Sequence, residues 1–593
     1  MLDFKVGAYC IGALLITASS SWADDTKIPI GDATLTAKGA MTIGTAIRTD
    51  DPDPALYSSL NSKVIGLPST AFGSNDRNND DANLNYKKGQ PVSSVVKGFV
   101  DLDLQWRNFG VFVRGKAWYD YTLSEQGVAW GNIPNGYVPG APLSDNGLNP
   151  LAKFSGAAFS DAYVYGKFNP AGMKLEVKAG NLTIPWGISN SFGGGLLSIN
   201  AIDIPATIRP GDLPEENLIP SPGIFTRLDF SNTRRVEAFF QAGFNPTELA
   251  PCGTFLSYSD ILAQGCNKLP IGNVSDQTAL VIGDYLARRP TIESKEGQFG
   301  LGFIQTIPAA KTEIGTYFAL YNSKTPTPDF YKTSNVGAPF QLGSSKNPAY
   351  GTEYPEGIQV YGVNFTTTLE KWKIQGELTY RPNQPFILNI PDMLNPLIGG
   401  ATTPLTSQIL ALAPGQMFQG YDRHELTQGA LTFANELGPL LGGQAFWGGE
   451  IGFKYVNDLP PVTQRRYLRS DAYGLGPTNG ACVAGAPAYQ CSENGYVSQM
   501  SDGYRLNARL RYDNVLPTVA PNTVLNVGLV FGQDVSGWSY DYSFIQGRTF
   551  VTGFLRSEWR NYFLQAAYTK TFGGTYDFLV DRDVASLAVG AKF

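Results

Sequence analysis

Strict alternation of apolar and polar residues is the sequence feature that most constrains the fold. From Val96 to Trp106 every second residue is apolar or glycine, and a similar segment follows at 111–120. Successive side chains of a strand point to opposite faces, so this period predicts strands that have one apolar and one polar face. The apolar face suits lipid, and the polar face suits an aqueous lumen.

The same period recurs at 173–179, 236–242 and 372–381, whereas helical patterns of comparable length are missing. The polar faces carry charges that we expect to line the lumen, namely Asp101, Asp103, Arg114, Lys116, Glu176, Glu377 and Arg381. Because these charges are mixed in sign, they predict no strong ion selectivity.

Connection lengths add a second indication. From Gly31 onward there are about 18 strand candidates, and the links between them alternate between short and long. The short links are 107–110, 169–172, 232–235, 307–311, 368–371, 436–443, 514–522 and 559–561. The long links are 48–92, 123–156, 182–222, 246–296, 322–355, 382–425, 457–502, 534–546 and 571–583. This pattern predicts an all-β, transmembrane antiparallel β-barrel of about 18 strands, 16 being the alternative count, with short periplasmic turns and long outer loops.

Both ends of the chain indicate export to an outer membrane. Lys5 precedes an apolar run and Ser21-Trp22-Ala23 resembles a cleavage site, so we expect residues 1–23 to be a signal peptide and residues 24–593 to form the barrel. The last strand ends on Phe593, a terminal aromatic residue that resembles the outer-membrane assembly signal. We therefore expect a protein of the Gram-negative cell outer membrane, surrounded by outer-membrane lipid and lipopolysaccharide.

Composition argues against several functions. The net charge of −6 offers no basic surface for nucleic acid. His424 is the single histidine, so a metal site built from several histidines is excluded. We interpret His424 as a surface residue, because no nucleophile motif of the G-x-S-x-G kind accompanies it. The chain is therefore expected not to be an enzyme and to need no cofactor or metal.

Four cysteines remain once the signal peptide is removed, and all four fall in predicted outer loops: Cys252, Cys266, Cys482 and Cys491. An exported protein meets an oxidising environment, so these residues predict disulfides. Proximity favours pairing within 252–266 and within 482–491, although the sequence leaves all three connectivities open.

An acidic stretch occupies the first long link, with aspartates at positions 50, 51, 53, 76, 80 and 81. Clustered carboxylates are the ligands that hard divalent cations prefer. Runs of charge more often lie on a solvated surface, and a solvated loop is the interpretation we favour here.

The segment from Gly180 to Asp229 carries a family resemblance. Its motifs are Gly180-Asn181, Trp186-Gly187-Ile188-Ser189, Phe192-Gly193-Gly194-Gly195, Asn200, Asp203, Arg209-Pro210-Gly211 and Glu215. Further motifs are Pro251-Cys252-Gly253-Thr254-Phe255, Gly376-Glu377-Leu378-Thr379-Tyr380-Arg381-Pro382, Asp534-Val535-Ser536-Gly537, Phe572-Gly573-Gly574 and Asp581-Arg582-Asp583. Together they resemble the proteobacterial outer-membrane family called domain of unknown function thirteen-oh-two. Val584 and Asn322 depart from the family pattern, which expects Phe and His there.

The resemblance implies an outer-membrane protein that works with two partners. These are a periplasmic protein resembling lipoprotein carriers and an inner-membrane transporter of the resistance-nodulation-division type. Such partners imply the movement of lipids or other hydrophobic compounds across the envelope.

Links 182–222 and 382–425 are unusually apolar for loops, and so much apolar surface would not remain in water. We expect link 182–222 to fold inward as a plug. The candidate constriction residues are Trp186, Phe192, Leu196 and Leu197, with Arg209, Asp212 and Glu215 expected to pin the plug to lumen charges such as Arg114 or Glu176. The simpler interpretation, in which the apolar residues only pack the plug, stays open.

The functional hypothesis is an outer-membrane channel or transporter for lipids or other hydrophobic compounds. The alternative is a general diffusion porin for small hydrophilic solutes, with which mixed lumen charges are compatible.

Overall fold

The computed structural model describes residues 26–593 except 73–75, 189–190, 212, 338–339, 341–346, 478–480 and 483. The expected signal peptide, 1–23, lies outside the described residues. The dominant element is one antiparallel sheet that closes on itself with 18 strands, which confirms the all-β barrel. None of the helices in the described part combines the length and hydropathy that a membrane crossing requires.

The barrel strands are numbered here in chain order. They are β1 (Ala33–Arg48), β2 (Pro91–Trp106), β3 (Phe109–Asp120), β4 (Ser155–Phe168), β5 (Lys174–Leu182), β6 (Ser221–Asp229), β7 (Arg234–Gln241), β8 (Gln298–Ile307), β9 (Thr312–Tyr321), β10 (Ile358–Leu369), β11 (Trp372–Ile387), β12 (Tyr421–Leu440), β13 (Gly443–Val456), β14 (Met500–Asp513), β15 (Val524–Ser536), β16 (Arg548–Trp559), β17 (Tyr562–Gly573) and β18 (Val584–Lys592). Each strand pairs with its neighbours in the sequence.

The barrel closes where the first strand meets the last. β1 pairs with β18 from Arg48 opposite Val584 to Ala40 opposite Lys592. Beyond that pairing, Gly39 and Phe593 exchange two backbone hydrogen bonds of 2.8 and 3.0 Å. A short strand, Thr26–Ile30, pairs antiparallel with the start of β1 next to this seam. Closure satisfies the edge hydrogen bonds that a bilayer could not satisfy.

The predicted alternation between lipid and lumen is present in the strands. On β2, Val96 and Leu102 are each 39% exposed on the outer face, whereas Lys97 and Asp101 are each 2% exposed on the inner face. A closed barrel with an apolar exterior and a polar interior is the architecture of bacterial outer-membrane barrels. The chain is therefore a β-barrel of the Gram-negative outer membrane.

Turns and loops also follow the predicted alternation. Every second connection is short, most having two to five residues and the one at 514–523 having ten, and the remaining connections have ten residues or more and share the other end of the barrel. At the turn between β12 and β13, Leu441 and Gly442 both have positive φ, 51° and 80°. This is the two-residue hairpin geometry that matches strand twist, and it requires left-handed backbone at both positions.

The long loops contain short elements. The α-helices are α1 (Ser59–Ser62), α2 (Asp81–Asn85), α3 (Tyr121–Glu125), α4 (Ile204–Ile208), α5 (Asp276–Ile282), α6 (Ile390–Ile398) and α7 (Thr406–Ala411). The 3-10 turns are Pro54–Leu56, Lys63–Ile65, Ile133–Asn135, Pro150–Ala152, Pro170–Gly172, Gly195–Ile199, Pro214–Glu216, Pro308–Ala310 and Asp471–Tyr473. The loop strands are Ala201–Ile202, Leu218–Ile219, Lys268–Pro270, Tyr285–Arg288, Thr327–Tyr331, Ala349–Glu353 and Met417–Phe418.

The outer loops form a cap with its own apolar core. Five of the loop strands, between 268 and 418, pair into a small sheet, and α6 packs against it. Phe330, Tyr350, Phe386 and Leu397 are among the fully buried side chains of this core. The apolar stretch predicted in link 382–425 therefore belongs to the cap.

Candidate functional site

One outer loop folds into the barrel instead of joining the cap. Residues 183–220, called the plug segment below, connect β5 to β6, and their apolar side chains pack on the inner face of the wall. The packed residues are Ile184, Trp186, Leu196 and Ile199 from the segment and Phe225, Phe239, Ala319, Ile358 and Val360 from the wall. The Trp186 indole also donates a 2.9 Å hydrogen bond to the Glu237 carboxylate. The predicted inward fold of this link is present.

The first half of the plug segment is held by polar side chains on β11 and β12. The Glu377 carboxylate accepts from the backbone amides of Ile188 and Leu196, both at 3.0 Å. Gln428 accepts from the amide of Gly195 at 3.2 Å and donates to the carbonyl of Gly193 at 2.9 Å. Glutamate and glutamine can satisfy backbone groups that no strand partner reaches.

Glycine is required at this contact. A Cβ atom on Gly195 would lie 2.2 Å from Glu377 Oε1, and the residue has a φ of +64°. Only glycine tolerates both the close approach and the left-handed backbone without strain. The run Gly193-Gly194-Gly195 is the sequence signal for this contact. The sequence alone did not show that the run packs against Glu377 of the barrel wall.

The second half of the plug segment is held on the opposite wall by buried ion pairs. Lys116 on β3 lies 2.6 Å from Asp203, and Lys97 on β2 lies 2.8 Å from Glu216. All four side chains are at most 4% exposed. The segment therefore crosses the lumen from the β7–β13 side to the β2–β3 side and divides its interior.

The expected constriction residues have different positions. Trp186, Phe192 and Leu196 are buried in contacts with the wall and the cap, and Phe192 stacks on Phe544 at 4.8 Å. Leu197 lines the open cavity above the plug segment. Three of the four expected residues thus pack against other parts of the protein, and Leu197 lines the cavity.

The expected pins are also arranged differently. Arg209 lies over the Trp118 ring at 4.5 Å, and Glu215 offers its backbone carbonyl to Arg114 at 3.2 Å. Glu176 lies 3.8 Å from Lys178 instead of reaching the plug segment. Asp212 lies outside the described residues. The carboxylates that hold the segment are Asp203 and Glu216. Their partners, Lys116 and Lys97, are so distant along the chain that the sequence alone does not identify the pairs.

Three other expected lumen charges lie on the barrel wall. Asp101 pairs with Arg114 at 2.6 Å, and Asp103 accepts from the Tyr165 hydroxyl at 2.8 Å. Arg381 donates to Gln428 at 2.7 Å and to the Tyr540 hydroxyl at 3.0 Å. These residues lie on the inner face, as the alternation predicts.

A cavity of about 180 Å³, called the vestibule cavity below, lies between the plug segment and the cap. Fifteen of its 34 lining residues have large apolar or aromatic side chains: Leu197, Ile202, Ile204, Leu249, Tyr258, Ile261, Leu262, Tyr321, Ile358, Ile387, Ile390, Leu468, Tyr540, Tyr542 and Phe578. Its charged lining residues are Lys324, Arg381, Arg469, Asp471 and Asp541. Such a lining suits a molecule with an apolar body and a polar group.

The charges of the vestibule cavity are unbalanced. Lys324 is 6% exposed, and its described polar partner is the Gln298 side chain at 3.0 Å, with the Phe244 ring 4.8 Å away. Burial lowers the pKa of Lys324 to about 7. Arg469 donates to four backbone carbonyls and stacks on Tyr496 and Tyr576.

The two carboxylates of the cavity are compensated. Asp541 pairs with Lys454, and this pairing lowers its pKa against the opposing effect of burial. Burial raises the pKa of Asp471 to about 6, with a hydrogen bond from Asn78 acting in the opposite direction. Lys324, a cationic group of the lining, therefore has no carboxylate among its described partners.

A second cavity of about 150 Å³, the lateral cavity, lies beyond the second half of the plug segment. It extends from Phe255 in the cap along the inner faces of β16 and β17 to Phe554 and Gln565. Its wall also carries the hydroxyl groups of Thr552 and Thr569.

Both cysteine pairs favoured by proximity are disulfides in the cap. Cys252 pairs with Cys266 and Cys482 with Cys491, and the Cα atoms of each pair are 5.4 Å apart. The 252–266 loop contributes Tyr258, Ile261 and Leu262 to the vestibule cavity.

His424 is not the surface residue that we expected. Its ring is 6% exposed and packs against Phe386 and Tyr467, and its Nδ1 atom lies 3.1 Å from the Asp458 carboxylate. This environment supports a packing role in the cap.

The sequence of residues 5–593 matches the profile of a family described as protein of unknown function, DUF1302. The chain belongs to the DUF1302 family. A search of curated proteins gives no match for this DUF1302 protein.

The solved structures that match the chain are distant in sequence and have low TM-scores. OccAB1 of Acinetobacter baumannii has 10% identity and a TM-score of 0.41, over 97% of this chain and 99% of that one. OccK1 (OpdK) of Pseudomonas aeruginosa has 9% identity and a TM-score of 0.36, over 94% and 98%. The outer membrane channel DcaP of Acinetobacter baumannii has 9% identity and a TM-score of 0.34, over 95% and 99%.

Proposed function

We propose that this DUF1302 protein is an outer-membrane channel for hydrophobic compounds that carry an anionic group. The observation that carries the proposal is the lining of the vestibule cavity. Fifteen apolar or aromatic side chains contribute to the lining of this cavity, and Lys324 faces it with no carboxylate among its described partners. An apolar solute gains by burial against such walls, at roughly 25 cal/mol per Å² of apolar surface.

The cationic groups would hold the solute's anionic end. A buried lysine loses hydration free energy on folding. A carboxylate partner offsets part of that loss. Lys324 lies at one place in the lining, so an anionic group bound there would also fix the orientation of the apolar body. Charged groups that fix orientation within an apolar pocket are typical of ligand sites.

The plug segment is proposed to be the constriction that the solute must pass. Its first half is held by neutral or singly charged acceptors, whereas its second half is held by two buried ion pairs. Breaking a buried ion pair costs several kcal/mol. We therefore propose that residues 186–199 move during passage and that residues 203–216 stay fixed.

On the periplasmic side, a hydrophobic solute would need a carrier, because water solvates its apolar surface poorly. We propose a periplasmic lipoprotein-carrier-like protein and an inner-membrane transporter of the resistance-nodulation-division type as partners. The family resemblance supports this part of the proposal.

A general diffusion porin is the second candidate, and the lateral cavity favours it. The wall hydroxyls of Thr552 and Thr569, with the Gln565 amide, would suit water and small polar solutes. Steady single-channel conductance in planar bilayers would support the porin.

The decisive experiment compares uptake of an alkyl carboxylate with uptake of the alcohol of equal chain length. Cells that produce the protein should accumulate the carboxylate faster than cells that lack it. The Lys324→Met variant should lose this advantage, and the control Lys88→Met, which changes an exposed outer-loop lysine, should keep it. If uptake equals that of cells without the protein while small ions conduct, the proposal is wrong and the porin is favoured.

A further inference from the structure

We infer that the lateral cavity binds a small carboxylate with an apolar body, and that Arg209 holds the carboxylate group. The two cavities have no lining residue in common, so this site is separate from the vestibule cavity. The inference goes beyond the proposed function, because it concerns a second site with its own recognition residue.

The first observation is a buried guanidinium group without an acceptor. Arg209 follows α4 in the plug segment, is 7% exposed and lines the lateral cavity. Its guanidinium lies 4.5 Å from the Trp118 ring and forms no hydrogen bond or ion pair with any of the described residues. A guanidinium has five N–H donors, and burying polar groups without partners is costly. The cavity is the space from which an acceptor can reach these donors.

The second observation is that the carboxylates near Arg209 have other partners. Asp203 and Glu216 form the buried ion pairs to β3 and β2 described above. Asp120 lines the cavity, but both of its carboxylate oxygens accept hydrogen bonds from β2 and α3. Burial lowers the pKa of Arg209, and the charges of these three carboxylates oppose that effect. Arg209 is therefore a cation whose donors are available to a ligand.

The third observation is that Arg209 is held in place. The main chain beside it packs against β1, where a Cβ atom on Gly211 would lie 2.4 Å from Thr42. The Trp118 indole that faces the guanidinium is itself fixed, since it donates a 2.8 Å hydrogen bond to the carbonyl of Lys153. The run 209–211 is one of the motifs of the family resemblance, and the vestibule cavity does not use it. A donor fixed in this way needs little ordering when a ligand binds.

The rest of the lining determines the class of ligand. The cavity has a volume of about 150 Å³, and an apolar cavity of about that size holds one benzene ring. A guanidinium matches a carboxylate with two parallel hydrogen bonds, which favours a carboxylate over other anions of that size. The apolar walls come from the barrel, the plug segment and the cap, and include Val92, Phe154, Ile208, Phe255, Phe554 and Val584.

Benzoate is the probe, and the Lys324→Met protein isolates the site from the vestibule cavity. Calorimetry on the full Lys324→Met chain in detergent should find one benzoate site per chain. Benzyl alcohol should bind at least about tenfold more weakly, because it has the ring without the charge. Acetate should also bind at least about tenfold more weakly, because it has the charge without the ring.

Arg209→Met, added to Lys324→Met, should weaken benzoate binding by about tenfold or more, because it removes the charged donors. Arg107→Met is the matched control, since Arg107 is an exposed arginine of the turn between β2 and β3, and it should leave binding unchanged. Ala567→Leu narrows the cavity from β17 without altering Arg209, and it should also weaken binding. Heat-modifiable mobility on electrophoresis would verify that each variant is a folded barrel. Should the Arg209 variant fail to fold, Ala567→Leu and the two ligand comparisons decide.

The inference is overturned if the Lys324→Met protein does not bind benzoate, or if benzyl alcohol or acetate binds as tightly. It is also overturned if Arg209→Met or Ala567→Leu leaves the affinity unchanged, since water alone would then satisfy the guanidinium. The proposed function fails by a different result, in which uptake of the alkyl carboxylate does not depend on Lys324 while benzoate still binds at Arg209.

Discussion

Lys116 on β3 and Asp203 of the plug segment form a 2.6 Å ion pair in the interior of the barrel. Asp203 also caps α4, accepting from the amide of Ala206 at 3.0 Å. The pair therefore joins the wall to a helix of the plug segment, and together with Lys97–Glu216 it fixes one half of the segment.

Replacing Lys116 by Met should detach this half of the plug segment. The variant leaves Asp203 buried without its partner, which costs about 3–5 kcal/mol. We expect faster influx of hydrophilic dyes into cells and larger, noisier currents in planar bilayers. Arg107→Met is the control, since its 3.6 Å pair with Asp32 is exposed and worth at most about 1 kcal/mol. Normal assembly with unchanged influx would show that the pair does not hold the segment.

Gly195→Ala should loosen the other half. The new Cβ atom would lie 2.2 Å from Glu377 Oε1, so the contact that binds two plug amides must open. Left-handed backbone adds about 1–3 kcal/mol for a residue other than glycine. Gly415→Ala separates the two effects, because Gly415 has a φ of +94° with no atom within 4 Å of the added Cβ. Dye influx should rise for the first variant and stay at the wild-type rate for the second; equal rates would assign the effect to backbone strain alone.

The strands were predictable because each one carries its own lipid and lumen faces. Val96 and Lys97 are adjacent in sequence, and their opposite exposure follows from the strand period alone. The proximity of Cys252 to Cys266 likewise needed only a short loop. Local sequence thus determined the strand count, the turns and the favoured disulfides.

The polar interior of the site was less predictable, because its partners are far apart in the chain. Asp203 lies 87 residues from Lys116, and Glu216 lies 119 residues from Lys97. Arg209 and Glu215 are also charged and lie close to Asp203 and Glu216 in the sequence. Nothing in the local sequence distinguishes them from the two residues that form the ion pairs. Burial of Asp80 and Asp81 also depends on the 242–297 loop. Because that loop is far away in the sequence, the local pattern favoured a solvated stretch.

Binding of an alkyl carboxylate should depend on pH through Lys324. Burial lowers its pKa from 10.5 to about 7, so the ammonium that attracts the anion is lost as pH rises through that value. We expect affinity to be constant below pH 6 and to fall by up to tenfold per pH unit above about 7. Fluorescence titration in detergent should find that Lys324→Met binds weakly at every pH. A wild-type profile that is flat from pH 6 to 8.5 would contradict a role for this ammonium.

Lys324 should also make the free energy of unfolding depend on pH. Its folded pKa lies below the unfolded value, so between about pH 7 and pH 10.5 the unfolded chain binds the extra proton. The contribution of Lys324 to the free energy of unfolding therefore rises with pH across this window. Thermal unfolding of wild type and Lys324→Met should show a difference that narrows as pH increases from 7; a difference that stays constant up to about pH 10 would mean that the lysine stays charged in the folded protein.

Reduction of the Cys252–Cys266 disulfide should weaken solute binding from a distance. The bond closes a loop with a sequence separation of 14, and Tyr258, Ile261 and Leu262 of that loop line the vestibule cavity. Removing such a cross-link by Cys252→Ser with Cys266→Ser costs about 3 kcal/mol in the chain-entropy account. Hydrogen exchange should accelerate in residues 252–266, and the alkyl carboxylate should bind less tightly. Cys482→Ser with Cys491→Ser should accelerate exchange mainly around its own loop and weaken binding less, because the described residues between its cysteines contact the cavity lining through Arg469, which donates to the carbonyl of Tyr489. Equal loss of binding in both variants would mean that the cap responds as one unit.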